Sequence, residues 1–184
     1  MGLISNILRI THKLDVATKV VGKNRAAVVL IVHDSEELDT LFVKRKESSS
    51  DPWSGQIALP GGRFEAEDAS LIDTAIREVI EEVGIDLRVQ GRLLGTIDDA
   101  RPSNVPSMIV TPFVALVRYG VSPKPGPEID EAFWVPFKKL ERIKFETTLN
   151  NGRIWSGNAY RYESYVIWGL TGHIIENFLS LLEQ

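Results

Sequence analysis

Arg77, Glu78, Glu81 and Glu82 follow one another closely in the segment REVIEEVGI, residues 77–85. Apolar residues at Ile72, Ala75, Ile76, Val79, Ile80 and Val83 recur at helical spacing and predict an amphipathic helix. Gly84 stands where a left-handed cap ends such a helix. At about 100° per residue the three glutamates share one arc of about 100°, beside the apolar face. Like charges at this spacing oppose the helix, by roughly 0.2–0.5 kcal/mol per exposed pair. A hard divalent cation, Mg²⁺ or Mn²⁺, would relieve that repulsion and could bind phosphate oxygens at the same time. A solvated acidic face is the alternative for charge alone.

The order of residues before the helix favours the cation. Pro60-Gly61-Gly62 leads through an acidic loop into REVIEEVGI, and this succession resembles the Nudix box. The half from Arg77 to Ile85 matches that pattern at every defined position. The first half is one residue longer than the pattern, so its loop acid falls on Glu67 or Asp68. The resemblance implies a Nudix-type α/β/α sandwich with a mixed sheet. It also implies metal-dependent cleavage of a pyrophosphate linkage by water, with Glu78, Glu81, Glu82 and the Gly62 carbonyl as oxygen ligands. Glu81 is the in-box candidate for the base, and Glu128, Glu131 and Glu146 are later acids that could serve. Arg77 lies about 100° from Glu78 on the helix, and by resemblance it orients the acids through ion pairing.

The segment LFVKRKESSSDPWSGQIALPGG, residues 41–62, is similar to the leader of coenzyme A diphosphatases of the same superfamily. Arg45 and Gly55 match that leader, Leu59 replaces a Phe, and Ser50-Asp51 stands near a second Arg of the pattern. Trp168-Gly169-Leu170-Thr171 is similar to their Trp-Gly-x-Thr segment. The implied substrate is coenzyme A or an acyl-CoA, giving 3′,5′-ADP and 4′-phosphopantetheine. ADP-ribose or a nucleotide sugar is the alternative. A 3′-phosphate needs cationic donors; Lys44, Arg45, Lys46, Arg63 and Arg101 are the candidates, beside the backbone at Gly61. Trp53, just before the glycine turn, is the candidate stacking residue, whereas Trp134 and Trp168 lie in apolar patterns and read as core. A non-enzymatic nucleotide sensor on this fold would be expected to lose a metal carboxylate, and all are present.

The elements that must hold these residues are legible in outline. Residues 25–33 and 40–46 read as strands, 56–59 as a short strand, and 88–97 and 108–117 as longer ones. Residues 98–106 and 123–127 are loops rich in turn formers. Residues 131–135 read as a strand, 137–140 as a short helical turn, and 142–150 and 158–168 as strands or loop edges. Residues 170–182 form a closing helix. Helices and strands interleave without a βαβ rhythm, which argues a mixed sheet covered on both faces. Leu3, Ile7, Ile10, Leu14, Ala17 and Val21 make an amphipathic helix over 1–22 ahead of a domain spanning 23–184. That stripe is expected to pack on the domain, with a homodimer interface or a membrane surface as the other uses.

Composition narrows the partners. A chain of 184 residues is one domain's worth. A net charge of −4, with no basic block, gives no support for nucleic-acid or membrane binding. No cysteine is present, so disulfides, thiolate metal sites and Cys nucleophiles are excluded, as suits a cytoplasmic protein. His12, His33 and His173 are scattered, and no Gly-x-Ser-x-Gly supports a serine triad. The partner expected from the sequence is a small-molecule nucleotide.

Overall fold

Burial of one strand on both faces organises the domain. The computed structural model describes residues 24–34, 38–48, 53–149 and 152–183, so the helix expected over 1–22 lies outside the described residues. β1 (Arg25–Asp34) runs parallel to β6 (Ile109–Arg118) through the centre of a seven-stranded sheet. Val29 and Ile31 face one apolar cluster, Leu30 and Val32 the other, and all four are fully buried. An unbroken apolar run is what such a position requires. Antiparallel to β1 lies β2 (Asp39–Arg45), which pairs in turn with β3 (Ile57–Ala58) and β7 (Ile129–Pro136). β5 (Gly91–Thr96) flanks β6, and β4 (Gly61–Arg63) pairs with β1.

α1 (Leu71–Val83) covers one face of this mixed sheet, and α3 (Gly169–Glu183) the other. Leu71, Ala75, Ile76, Val79 and Val83 of α1 pack on Ala27, Val29 and Ile31. Ile174, Ile175 and Phe178 of α3 meet Leu30, Val32 and Phe42. The expected α/β/α arrangement is therefore the observed one. None of the described helices is long and apolar enough to cross a membrane.

Three elements depart from the sequence reading. Residues 87–90 form a short helix, α2 (Leu87–Gln90), which takes the first three residues of the strand expected over 88–97, because the Asp86 side chain accepts from the Arg88 N–H and caps a turn. The expected Pro-Gly-Gly turn is a strand edge, with Gly61 and Gly62 opposite Val28 and Ala27. After a 3₁₀ turn at Phe137–Lys139, β8 (Glu141–Thr148), β9 (Ile154–Tyr162) and β10 (Tyr165–Ile167) build a separate three-stranded antiparallel sheet.

The C-terminal end of α1 is finished by a distant loop. Gly84, at φ 67°, donates to the Ile80 carbonyl. Lys124 N–H then donates to Val83 O at 2.8 Å and Gly126 N–H to Glu82 O at 2.9 Å, satisfying carbonyls that a helix end leaves open. Loop 123–128 fits only because residue 126 has no side chain: a Cβ there would stand 1.9 Å from Glu81 O. Gly126→Ala is expected to lower Tm by about 4–8 °C, the shift for roughly 2 kcal/mol in a domain of this size. Thermal melting by circular dichroism checks this, and an unchanged Tm would show that the loop is not docked on the helix.

Candidate active site

Local structure aims the acids of α1 into one cleft. Ser70 caps the helix start by accepting from the Asp73 N–H, and the apolar stripe fixes its rotation. Glu78, Glu81 and Glu82 are thereby all turned toward a cavity of about 950 Å³. The wall beside them is β4, where two glycines allow an approach that side chains would block. Gly61, at φ 148°, would push a Cβ within 2.2 Å of Ala27 O, and one at Gly62 would lie 2.3 Å from the Glu78 carboxylate.

Arg77 ties the acids together. Its Nε and one Nη donate to the two oxygens of Asp68, both at 3.0 Å. The other Nη donates to Glu78 at 2.8 Å and Glu81 at 3.4 Å, and the carbonyl of Arg63 takes a further bond at 3.0 Å. A guanidinium has five N–H donors, so Arg77 has none left for a phosphate. Asp68, rather than Glu67, is the loop acid that meets it. Thr74 Oγ1 and the Glu65 N–H complete the cage around Asp68, which is buried while Glu67 is exposed. Hydrogen bonds from Arg77 hold the Asp68 carboxyl down at a pKa of about 2.

Glu82 occupies the opposite situation. It is 5% exposed, accepts from the Gly61 N–H at 2.9 Å, and pairs with Arg45 at 3.0 Å. Burial still outweighs these contacts and pushes its pKa up to about 7. Glu78 is raised as well, by burial first. Glu81 is the open member of the trio, its side chain 57% exposed. Glu128, brought in by the loop that caps α1, meets the far side of Arg45 at 3.4 Å and lines the cleft. Glu131 instead accepts from the Tyr165 hydroxyl, and Glu146 lies exposed on β8; neither lines the cleft.

The expected trio of glutamates is not gathered around one point. Among the described residues no three acidic or histidine side chains stand ready at ion-binding spacing. Arg77 engages the half-buried Glu78 and Arg45 the buried Glu82. The donor set nonetheless suits a hard cation. Cleft-lining charges among the described residues are Glu65, Glu78, Glu81, Glu82 and Glu128 against Arg45, Arg63 and Arg77, an excess of two negative charges. Such a surface repels a diphosphate unless cations intervene, and its carboxylate oxygens are the ligands that Mg²⁺ or Mn²⁺ prefers.

The remaining candidates divide. Arg63 and Trp53 line the cleft, with Arg63 exposed at its edge on β4. Lys44 points to Asp130 at 2.9 Å and lines a smaller neighbouring hollow. Arg101 donates to Pro106 O within its own loop, and Lys46 to Pro127 O; neither lines the cleft. Their positive charges signalled phosphate binding in the sequence, but the acceptors they meet, Asp130 on β7, Pro106 O and Pro127 O, are protein oxygens. Trp168, read as core, lines the cleft instead, while Trp134 stacks on buried His33 with ring centroids 3.3 Å apart. The hairpin residues Thr147, Thr148 and Leu149 also line the cleft and carry no chemical signature in the sequence.

With this geometry in view, the chain's relatives are informative. The NUDIX domain family model matches residues 23–154. A Nudix hydrolase NudL of Photorhabdus laumondii is 33% identical over 164 residues, covering 87% of this chain and 86% of that one. Nudix hydrolase 15, mitochondrial, of Arabidopsis thaliana is 29% identical over 82% of this chain and 56% of its own length. The crystal structure of a MutT/nudix family protein from Enterococcus faecalis shares the fold, with a TM-score of 0.56, 18% identity, and coverage of 98% of this chain and 70% of that one. The chain belongs to the Nudix family and is a Nudix hydrolase.

The buried acid makes stability depend on pH. Glu82 is raised from 4.5 to about 7, so the folded protein binds a proton that the unfolded chain releases between these values. Stability without divalent cations therefore falls as pH rises from 4.5 through about 7, by about 3 kcal/mol at 1.36 kcal/mol per unit. Glu82→Gln is expected to flatten that slope in denaturant titrations with chelator present. An equal slope in the variant would remove Glu82 as its source.

Proposed function

We propose that this hydrolase cleaves the diphosphate of a coenzyme A-type nucleotide, releasing 3′,5′-ADP and 4′-phosphopantetheine. The observation that carries the reading is the acid-rich cleft: among the described residues, five glutamates and three arginines line a cavity of about 950 Å³. That volume lies at the upper end of the roughly 300–1,000 Å³ range of ligand sites, as a large two-part substrate requires. The leader resemblance at Arg45 and Gly55 and the Trp168–Thr171 segment favour coenzyme A over ADP-ribose or a nucleotide sugar. The cysteine-free composition suits work in the cytoplasm, on a domain spanning 23–184.

Glu78, Glu81 and Glu82, with the Gly62 carbonyl, are the residues that would hold Mg²⁺ or Mn²⁺. A divalent ion there supplies positive charge to the diphosphate oxygens and makes water more acidic. Arg77 spends its donors on Asp68, Glu78 and Glu81, so its part is to keep the acids in place. Arg63 is the cleft arginine that no acid engages among the described residues, and it suits the substrate's further phosphate. Water adds to one phosphorus, the bridging P–O bond breaks, and the water proton passes to the exposed Glu81 carboxylate. Glu128, which also lines the cleft, is the alternative acceptor.

A panel of coenzyme A, ADP-ribose and a nucleotide sugar, assayed with Mg²⁺ and with Mn²⁺, tests the reading. The expected result is metal-dependent release of 3′,5′-ADP from coenzyme A, reduced at least about a hundredfold by Glu82→Gln. Robust ADP-ribose turnover with inert coenzyme A would overturn the substrate assignment.

A further inference from the structure

Among the described residues, the charged side chains of the cleft all come from β2, β4, α1 and the loops beside them. β8, α3 and the 98–108 loop contribute only uncharged groups to it. At that uncharged end stands an aromatic wall with its own architecture. Trp168 contacts Trp155 with ring centroids 5.0 Å apart and planes at 51°, and Phe145 at 6.1 Å and 49°. The hairpin register explains the cluster. Phe145 sits opposite Gly157, and Trp155, two residues from Gly157, shares its face of the strand.

Gly157 is what lets Trp155 lie down on the strand. A Cβ at 157 would meet the indole at 3.0–3.1 Å, closer than side chains ordinarily approach. Trp155 thus folds across a bare stretch of backbone and abuts Trp168 without itself lining the cleft. Trp168 is itself only partly buried, and Thr147 and Thr171 supply hydroxyls to the same cleft. A flat aromatic surface flanked by uncharged hydrogen-bonding groups suits a heteroaromatic ring, which offers a π-face and polar edges. A phosphate would need cations there, and a plain alkyl chain would leave the hydroxyls unused.

We propose that Trp168, propped by Trp155 lying over Gly157, is the stacking platform for the substrate's nucleobase. The proposal rests on the nucleotide reading of the cleft and adds the residue that grips the base. Trp155 is a positioning residue, acting through Trp168 without touching the ligand. Trp53 lines the same cleft but packs on Ala26, Met108 and Val110, so it forms the floor rather than the platform.

Binding of ADP, with ribose 5-phosphate as the base-free control, tests this by calorimetry in Mg²⁺ on the full chain. Trp168→Leu keeps apolar bulk without a π-face and is expected to weaken ADP about tenfold or more, while Trp168→Phe retains most of the affinity. Ribose 5-phosphate should bind all three proteins alike. Trp155→Ala should raise KM for the nucleotide substrate with kcat nearly unchanged. Circular dichroism establishes that each variant is folded, and Trp168→Phe against the unaltered protein carries the comparison if Trp168→Leu is not. ADP affinity unchanged in Trp168→Leu, an equal loss for ribose 5-phosphate, or a Trp168→Phe variant that loses ADP binding altogether would overturn the proposal. Because the readout is binding, a chain that turns over none of the panel substrates would fail the hydrolytic assignment while leaving this result intact.

Discussion

A single guanidinium whose every N–H is committed to protein oxygens holds this site in order. Arg77 spans Asp68 on the loop, Glu78 and Glu81 on its own helix, and the backbone of β4. Without it, half-buried Glu78 would lose its closest cation and Asp68 would be a buried charge with hydrogen bonds alone. Breaking such a pair from one side costs far more than the pair itself contributes, commonly 3–5 kcal/mol. The loop, helix and strand edge are therefore one electrostatic unit, and the position of each acid depends on the others.

The backbone makes that unit compact enough to matter. Gly61 and Gly62 bring β4 against both β1 and the Glu78 carboxylate, so the acids are pressed between helix and sheet without room for intervening side chains. Desolvation follows, and with it the upward push on Glu82 and Glu78. An acid that is costly to ionise in the bare protein is well placed to gain from a cation. A cation held there, as proposed, would recover part of a penalty already built into the fold.

Much of this was legible in the residues. The helix and its Gly84 cap follow from apolar periodicity, and β1, β2 and β6 follow from apolar runs that only a two-sided burial explains. The acids were visible because their order along the helix matches a known pattern. What stayed hidden depends on tertiary approach. Gly126 reads as a turn glycine, yet its role is to clear Glu81 O. Trp168 sits in an apolar stretch and reads as core, whereas the β8–β9 sheet leaves it on the cleft wall. The choice between Glu67 and Asp68 was open in sequence and is decided by which one meets Arg77. Lys44 and Arg101 looked like phosphate ligands because charge carries no direction in a sequence, and each turns to a neighbour outside the main cleft.

The proposed metal site requires the carboxylates of α1 to take a divalent ion in competition with Arg45 and Arg77. Titration of Mn²⁺ followed by the electron paramagnetic resonance signal of the free ion measures this without any substrate. Saturable depletion of free Mn²⁺ is expected with the unaltered protein, and loss of that site in the folded double variant Glu78→Gln/Glu82→Gln. The same saturable binding in both proteins would contradict it.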